Sequence, residues 1–125
     1  MDPSPDLSDF INQRHLATLV TQRADGSPHA VPVGFTYADG RVRVITPGSS
    51  VKARNAARGG RASVTQVDGR RWVTMEGPVR VVTDEGSIAD AVAAYARRYR
   101  QPGERPDRVV IEIEVDHMMC NSGLK

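Results

Sequence analysis

The chain has 125 residues, enough for one ordinary domain, and carries 17 Lys and Arg against 15 Asp and Glu, a net charge of +2. So small a positive excess argues against general nucleic-acid binding, which calls for a strong overall surplus of basic residues. The lone cysteine, Cys120, excludes an intrachain disulfide and a Cys-based zinc site, and with His117 it makes only two ligands, so no metal is expected.

Residues 1–6 are polar and Pro-rich and read as a loose N-terminus; no signal-peptide pattern opens the chain and no apolar run is long enough to span a membrane. The expected setting is the cytoplasm. Leu7 to Gln13 reads as a short helix, with Leu7, Phe10 and Ile11 at i, i+3 and i+4. His15 to Gln22 has the β-branched content of a strand, residues 24–27 supply a turn, and a second strand runs from Pro28 to Tyr37. On that strand Val31, Val33, Phe35 and Tyr37 share one face, while Ala30, Pro32, Gly34 and Thr36 share the other. A face of small residues admits either tight strand packing or a flat ring. Pro32 has no N–H for a ladder, so its strand lies at an edge or is interrupted.

After Asp39-Gly40 a third strand runs from Arg41 to Thr46 and enters Pro47-Gly48-Ser49-Ser50-Val51-Lys52-Ala53-Arg54-Asn55. This stretch reads as a strand end, a Pro-Gly turn, a Ser N-cap and a helix of about Val51 to Arg58, closed by Gly59-Gly60. Lys52 and Arg54 fall in the first turn, where the helix dipole disfavours cations. From Gly40 to Val67 there is no Asp or Glu, while six Lys and Arg lie there. A phosphate pocket is one reading and a solvated basic helix face the other.

Arg61 to Val67 is a fourth strand, Asp68-Gly69 a hairpin turn, and Arg71 to Val82 a long fifth strand bent at Gly77-Pro78. Thr83 or Asp84 caps a longer helix reaching about Arg100, with Ile88, Ala91, Val92, Tyr95 and Tyr99 as its apolar stripe. Its late arginines, Arg97, Arg98 and Arg100, suit the dipole and read first as structural or solvent-facing, with a role in holding an acidic substrate second. A polar loop follows, and Arg108 to Val115 forms a sixth strand. The pattern predicts a mainly β, α+β domain over residues 1–125: a six-stranded antiparallel barrel with two or three helices attached.

Several segments in this order carry a resemblance: Asp25 to His29, Asp39-Gly40, Ser50-Val51-Lys52-Ala53 with Asn55, the Gln66 to Trp72 hairpin, Glu76-Gly77, and Arg108 to Ile113. Over residues 7–116 the chain resembles the split β-barrel flavin and deazaflavin oxidoreductases, the superfamily of pyridoxamine 5′-phosphate oxidase. Within it the chain is most similar to the actinobacterial F420-dependent biliverdin reductases. The resemblance implies an FMN-binding type of split barrel, a homodimer, and coenzyme F420, or alternatively FMN, in a groove at the subunit interface. It implies that Ser49, Ser50, Lys52, Arg54 and Asn55 surround the phosphate, that Ile45 and Thr46 lie near the ring's polar edge, and that Pro32, Val33 and Gly34 back the ring. Trp72 either reaches the groove, from the partner subunit, or is a half-buried hairpin aromatic. The C-terminal Trp and Arg elements with which pyridoxamine phosphate oxidases hold substrate are not evident, which counts against vitamin B6 oxidation.

The activity so implied is hydride transfer from reduced F420 to a conjugated acceptor, biliverdin to bilirubin first. An FMN-dependent oxidoreductase, or a non-catalytic binder of F420, flavin or haem, stands as the alternative. No residue declares itself a general acid; His29 is the one candidate, and a lone His at a strand start is more often simply exposed.

Overall fold

The computed structural model describes residues 2–125. The elements run α1 (Pro5–Asn12), β1 (Ala17–Gln22), β2 (Pro28–Val33), β3 (Thr36–Ala38), β4 (Arg41–Pro47), α2 (Val51–Ala57), β5 (Arg61–Asp68), β6 (Arg71–Val82), α3 (Glu85–Arg98), β7 (Arg108–Glu114) and β8 (His117–Cys120), with a short 3₁₀ turn at Ser122–Leu124. Every pairing is antiparallel, in the order β2-β1-β5-β6-β7-β4-β3, with β8 added to β6. β2 and β3 end the path unpaired with each other, so the barrel is split rather than closed.

β6 belongs to both halves. Its first part, Arg71 to Pro78, pairs with β5, and its last part, Val79 to Val82, pairs with β7. The crossing falls at Gly77, where the Glu114 carbonyl oxygen occupies the space of a side chain: a Cβ there would lie 1.8 Å from it. The bend expected at Gly77-Pro78 thus has a steric cause, since only glycine lets the two backbones pass.

The core alternates as period two requires: Leu19, Val42, Val44, Val64, Val73, Met75, Ile111 and Ile113 are buried between the halves, and Phe10 and Ile11 of α1 close one end. The six expected strands are present, with two differences. The strand expected from Pro28 to Tyr37 is interrupted at Gly34-Phe35, and the interruption is filled by side chains. Tyr99 Oη accepts from Phe35 N at 3.2 Å and donates to the His15 carbonyl at 2.7 Å, while Arg98 donates to the Phe35 carbonyl. The backbone groups that leave the ladder are thereby satisfied. The other difference is β8, where Cys120 opposes Val73 and His117 opposes Glu76.

The segment expected to be loose is also shorter. α1 begins at Pro5, because Ser4 caps it, accepting from Leu7 N at 3.1 Å, and donates to the Leu124 carbonyl at 2.6 Å. Met1, part of that expectation, lies outside the described residues.

Arg98 is structural, as its place late in the helix suggested. It donates to the Gln13 carbonyl and to buried Gln66 Oε1 at 2.6 Å, and its guanidinium lies 4.3 Å from the Phe35 ring centre. Gln66 in turn donates to the Phe10 carbonyl at 2.8 Å. Desolvation holds the Arg98 pKa below the usual arginine value, and the shared acceptors keep it charged. Among the described residues no helix is long and apolar enough to cross a membrane.

Candidate functional site

A cleft of about 310 Å³ lies between the end of β2, the end of β4, the start of α2 and the C-terminal turns of α3. Pro32, Val33, Gly34, Val44, Ile45 and Pro47 give it an apolar wall; Thr46, Lys52, Tyr95, Pro102, Arg105 and Arg108 complete it. No Asp or Glu lines it.

The turn that carries its polar end is held at both sides. Pro47 leads into a tight turn closed by Ser50 N to the Pro47 carbonyl at 3.1 Å, and Gly48 N donates to the Asp107 carbonyl at 2.7 Å. Ser50 caps α2 by accepting from Ala53 N at 3.2 Å, and it also accepts from the buried Thr46 hydroxyl at 3.1 Å. With both bonds accepted, the Ser50 hydroxyl keeps its own proton to donate. Lys52 is half-buried and makes no hydrogen bond or ion pair among the described residues, and burial lowers its pKa from the ordinary lysine value. A desolvated, unpaired ammonium at the end of an acid-free cleft favours a bound anion.

Of the residues expected at the site, Pro32, Val33, Gly34, Ile45, Thr46 and Lys52 line the cleft together. Ser49 is exposed on the adjoining turn, with Ser50 behind it. Arg54 is exposed one helical position beyond the buried Ala53 and does not line the cleft. Asn55 faces inward instead: it is buried, donates to Thr21 Oγ1 at 3.1 Å and accepts from Arg58 at 2.6 Å. Trp72 stands on the outward side of the β5–β6 hairpin opposite Val67, its backbone N–H donating to Asn121 Oδ1, and does not line this chain's cleft. His29 sits opposite Thr21 with its Nδ1 buried and unpartnered, outside the cleft.

Tyr95, Pro102, Arg105 and Arg108 were not anticipated as lining residues. The tyrosine was hidden in a helical stripe that reads as core. Arg105 belongs to a loop with no periodicity and Arg108 is the first residue of β7; Arg105 pairs with Asp107 at 3.6 Å and Arg108 donates to the Gly103 carbonyl at 2.8 Å. Gly34 also changes meaning. A Cβ there would lie 2.9 Å from the Tyr95 ring and 3.2 Å from the Tyr99 ring, so this position is small because two tyrosines of α3 pack on it. Gly34→Ala is expected to displace both rings. Tyr99 is anchored by two hydrogen bonds, so the cost is about 1–3 kcal/mol, read as a lower urea midpoint, with weaker ligand binding in the cleft.

Known proteins agree with this geometry. The family model of pyridoxamine 5′-phosphate oxidase matches residues 4–119. An F420H(2)-dependent biliverdin reductase from Mycobacterium tuberculosis (strain CDC 1551 / Oshkosh) is 47% identical over 123 residues, covering 97% of this chain and 90% of that protein. Among solved structures, a conserved hypothetical protein of Mycobacterium tuberculosis superposes with a TM-score of 0.82 at 24% identity, over 96% of this chain and 84% of its own. An F420 reductase does so with a TM-score of 0.74 at 21% identity, over 90% of this chain and 94% of its own. With the split barrel, the Ser50–Lys52 turn and a match across nearly its whole length, the chain belongs to the pyridoxamine 5′-phosphate oxidase family.

Proposed function

We propose that this chain is a cytoplasmic F420-dependent reductase of a conjugated acceptor, biliverdin foremost, working as a homodimer. The observation that carries the reading is Lys52: a half-buried ammonium without a partner among the described residues, at the polar end of a cleft with one apolar wall and no acid on its walls. That donor set suits a flat heterocycle bearing a phosphodiester. Lys52 and the Ser49–Ser50 hydroxyls hold the phosphate, and Pro32, Val33, Gly34 and Ile45 lie against the ring. The relative that is 47% identical and named for this reaction supports the same reading.

When bound, F420 supplies the hydride that converts biliverdin to bilirubin. The chain's own part is to hold and orient. The apolar wall excludes water from one side of the ring, and the charged end fixes its register along the cleft. No carboxylate or histidine lines the cleft, which leaves Tyr95, Lys52 and water at the open mouth as sources of the accompanying proton.

The dimer follows from what the fold leaves open. On the outward face of β2, β1, β5, β6 and β8, Pro32, Thr18, Thr65, Thr74 and Met119 lie in one cross-strand row. Leu16 and Val67, 63% and 59% exposed, are near it. α3 packs on β3, β4 and β7 and leaves this face free. A broad uncharged patch of this kind marks an association surface. Pro32 belongs both to the patch and to the cleft wall, so a second copy seated here lies beside the cleft.

The test is a titration of the purified protein with F420 and with FMN, followed by fluorescence, then turnover of biliverdin with reduced F420. Tight F420 binding, bilirubin formation and a dimer by sedimentation are expected. Preference for FMN overturns the cofactor assignment, and F420 binding without turnover makes the protein a carrier.

A further inference from the structure

Beside the cleft lies a second pocket of about 330 Å³, lined by Arg14, His15, Leu16, Tyr95, Tyr99 and Arg100. Tyr95 lines both spaces, so its ring is the partition between them. The floor is aromatic: the Tyr95 and Tyr99 ring centres are 4.8 Å apart, tilted by 34°. Leu16 adds an apolar side. Neither Arg14 nor Arg100 makes a hydrogen bond or ion pair, and no carboxylate lines the pocket. The contrast with Arg98, three positions along α3 from Tyr95, is direct, since that guanidinium is spent on Gln13, Phe35 and Gln66.

Charge balance separates this pocket from another, of about 440 Å³, beside the start of α3. There Arg41, Arg43 and Arg80 face Glu112, Asp84 and Asp90. Arg80 donates to Glu112 Oε1 at 2.6 Å, and Arg41 and Arg43 come within 3.6 and 3.5 Å of the same carboxylate. Those three cations are matched by three acids. The Arg14–Arg100 pocket has two arginines that no carboxylate pairs among the described residues; Asp68, 3.6 Å from the lining His15, is paired with Arg71.

Size favours a second compartment. A single drug-sized ligand fills a pocket of about 300–1,000 Å³, so a cleft of about 310 Å³ has room for a cofactor ring and little besides. An acceptor present at the same time needs space next to the ring, and the pocket beyond Tyr95 adjoins it. We propose that Arg14 and Arg100 form the acceptor's carboxylate subsite, holding acidic side arms while its conjugated part lies over Tyr95 toward the cleft. This rests on the reductase reading above and adds to it the requirement for a carboxylate-bearing acceptor.

The test is the double variant Arg14→Glu/Arg100→Glu, two exposed positions at which the fold is retained, checked by circular dichroism. Equilibrium binding of biliverdin, of its dimethyl ester and of F420 is measured by absorbance and fluorescence, and KM and kcat for biliverdin alongside. Biliverdin affinity is expected to fall at least about tenfold and its KM to rise in parallel, the scale of a lost charge-assisted contact. The ester's affinity should change little, and F420 affinity should hold. Unchanged biliverdin affinity overturns the proposal, as does an equal loss for acid and ester. Loss of F420 affinity with biliverdin binding intact also overturns it, assigning the arginines to the cofactor's glutamyl tail. Failure of the wild-type protein to bind or reduce biliverdin is a different outcome: it removes the reductase reading, and this subsite with it.

Discussion

Gly77→Ala is expected to leave the chain without a folded barrel. The added carbon would lie 1.8 Å from the Glu114 carbonyl oxygen and 2.8 Å from its carbon, both backbone atoms that no rotamer change can move. Restoring ordinary contact requires β6 and β7 to part by roughly 1.5 Å at the place where they cross. The same shift strains the Asp116 N to Glu76 carbonyl bond, 3.0 Å long, that ties the β7–β8 corner down. Overpacking against yielding side chains costs about 1–3 kcal/mol, and against two fixed backbones more, of the order of a small domain's whole stability of about 5–15 kcal/mol. The check is soluble expression and the thermal transition of the variant beside Gly34→Ala, whose clash is with side chains and whose product should still fold. A native-like melting curve for Gly77→Ala would mean that the crossing tolerates a wider separation than the structure has.

Lys52→Ala carries the largest expected effect on binding. Removing one charged hydrogen-bonding partner of a phosphate costs about 1.5–3 kcal/mol, or roughly ten- to a hundredfold in Kd. The fold should be indifferent, because the ammonium has no partner within the chain to lose. pH separates the two roles. Burial lowers the Lys52 pKa in the free protein, so its charge is a cost to folding that is relieved as pH rises through that lowered value. Anion affinity moves the other way: it is full while the lysine is protonated and declines as pH rises through the same range. Cofactor affinity falling with pH while unliganded stability does not is the expected signature, and in Lys52→Ala both trends from this residue should be absent. Equal affinity in the wild type and the variant at neutral pH would remove the phosphate from this turn.

The parts of the molecule legible in the sequence are those governed by local rules. Ser50 and Asp84 cap their helices, accepting from Ala53 N and Ser87 N. The alternation of Val42, Val44 and Thr46 or of Ile111 and Ile113 assigns faces, and Asp68-Gly69 closes its hairpin. What escaped depends on distant partners. Nothing near Gly34 announces that Tyr95 and Tyr99, more than sixty residues later, pack on it. The resemblance implies that Asn55 lies beside the phosphate, yet α2 turns it toward Thr21, 34 residues earlier in the chain. β8 was illegible because His117-Met118-Met119-Cys120 lacks β-branched residues; it is a strand because β6 offers an edge at Val73 to Glu76. Of the cleft's arginines, Arg105 lies in a loop, where no periodicity marks which way a side chain faces, and Arg108 is the end residue of its strand.

The double membership of β6 also sets an order of events for a chain leaving the ribosome. β1, β2, β5 and the first part of β6 can zip together once Pro78 has emerged, since their partners all precede it. β4 cannot, because its neighbour on the core side of the sheet is β7, in a register that pairs Pro47 with Arg108 and Arg41 with Glu114. β4 has only the short β3 beside it until then, so Val42 and Val44 wait for Ile113 and Ile111 through the synthesis of α2, β5, β6 and α3, and such long-range closure is slow. The β4–α2 turn that carries Lys52 is pinned through Gly48 to Asp107, so the binding cleft is among the last features of the nascent protein to take shape.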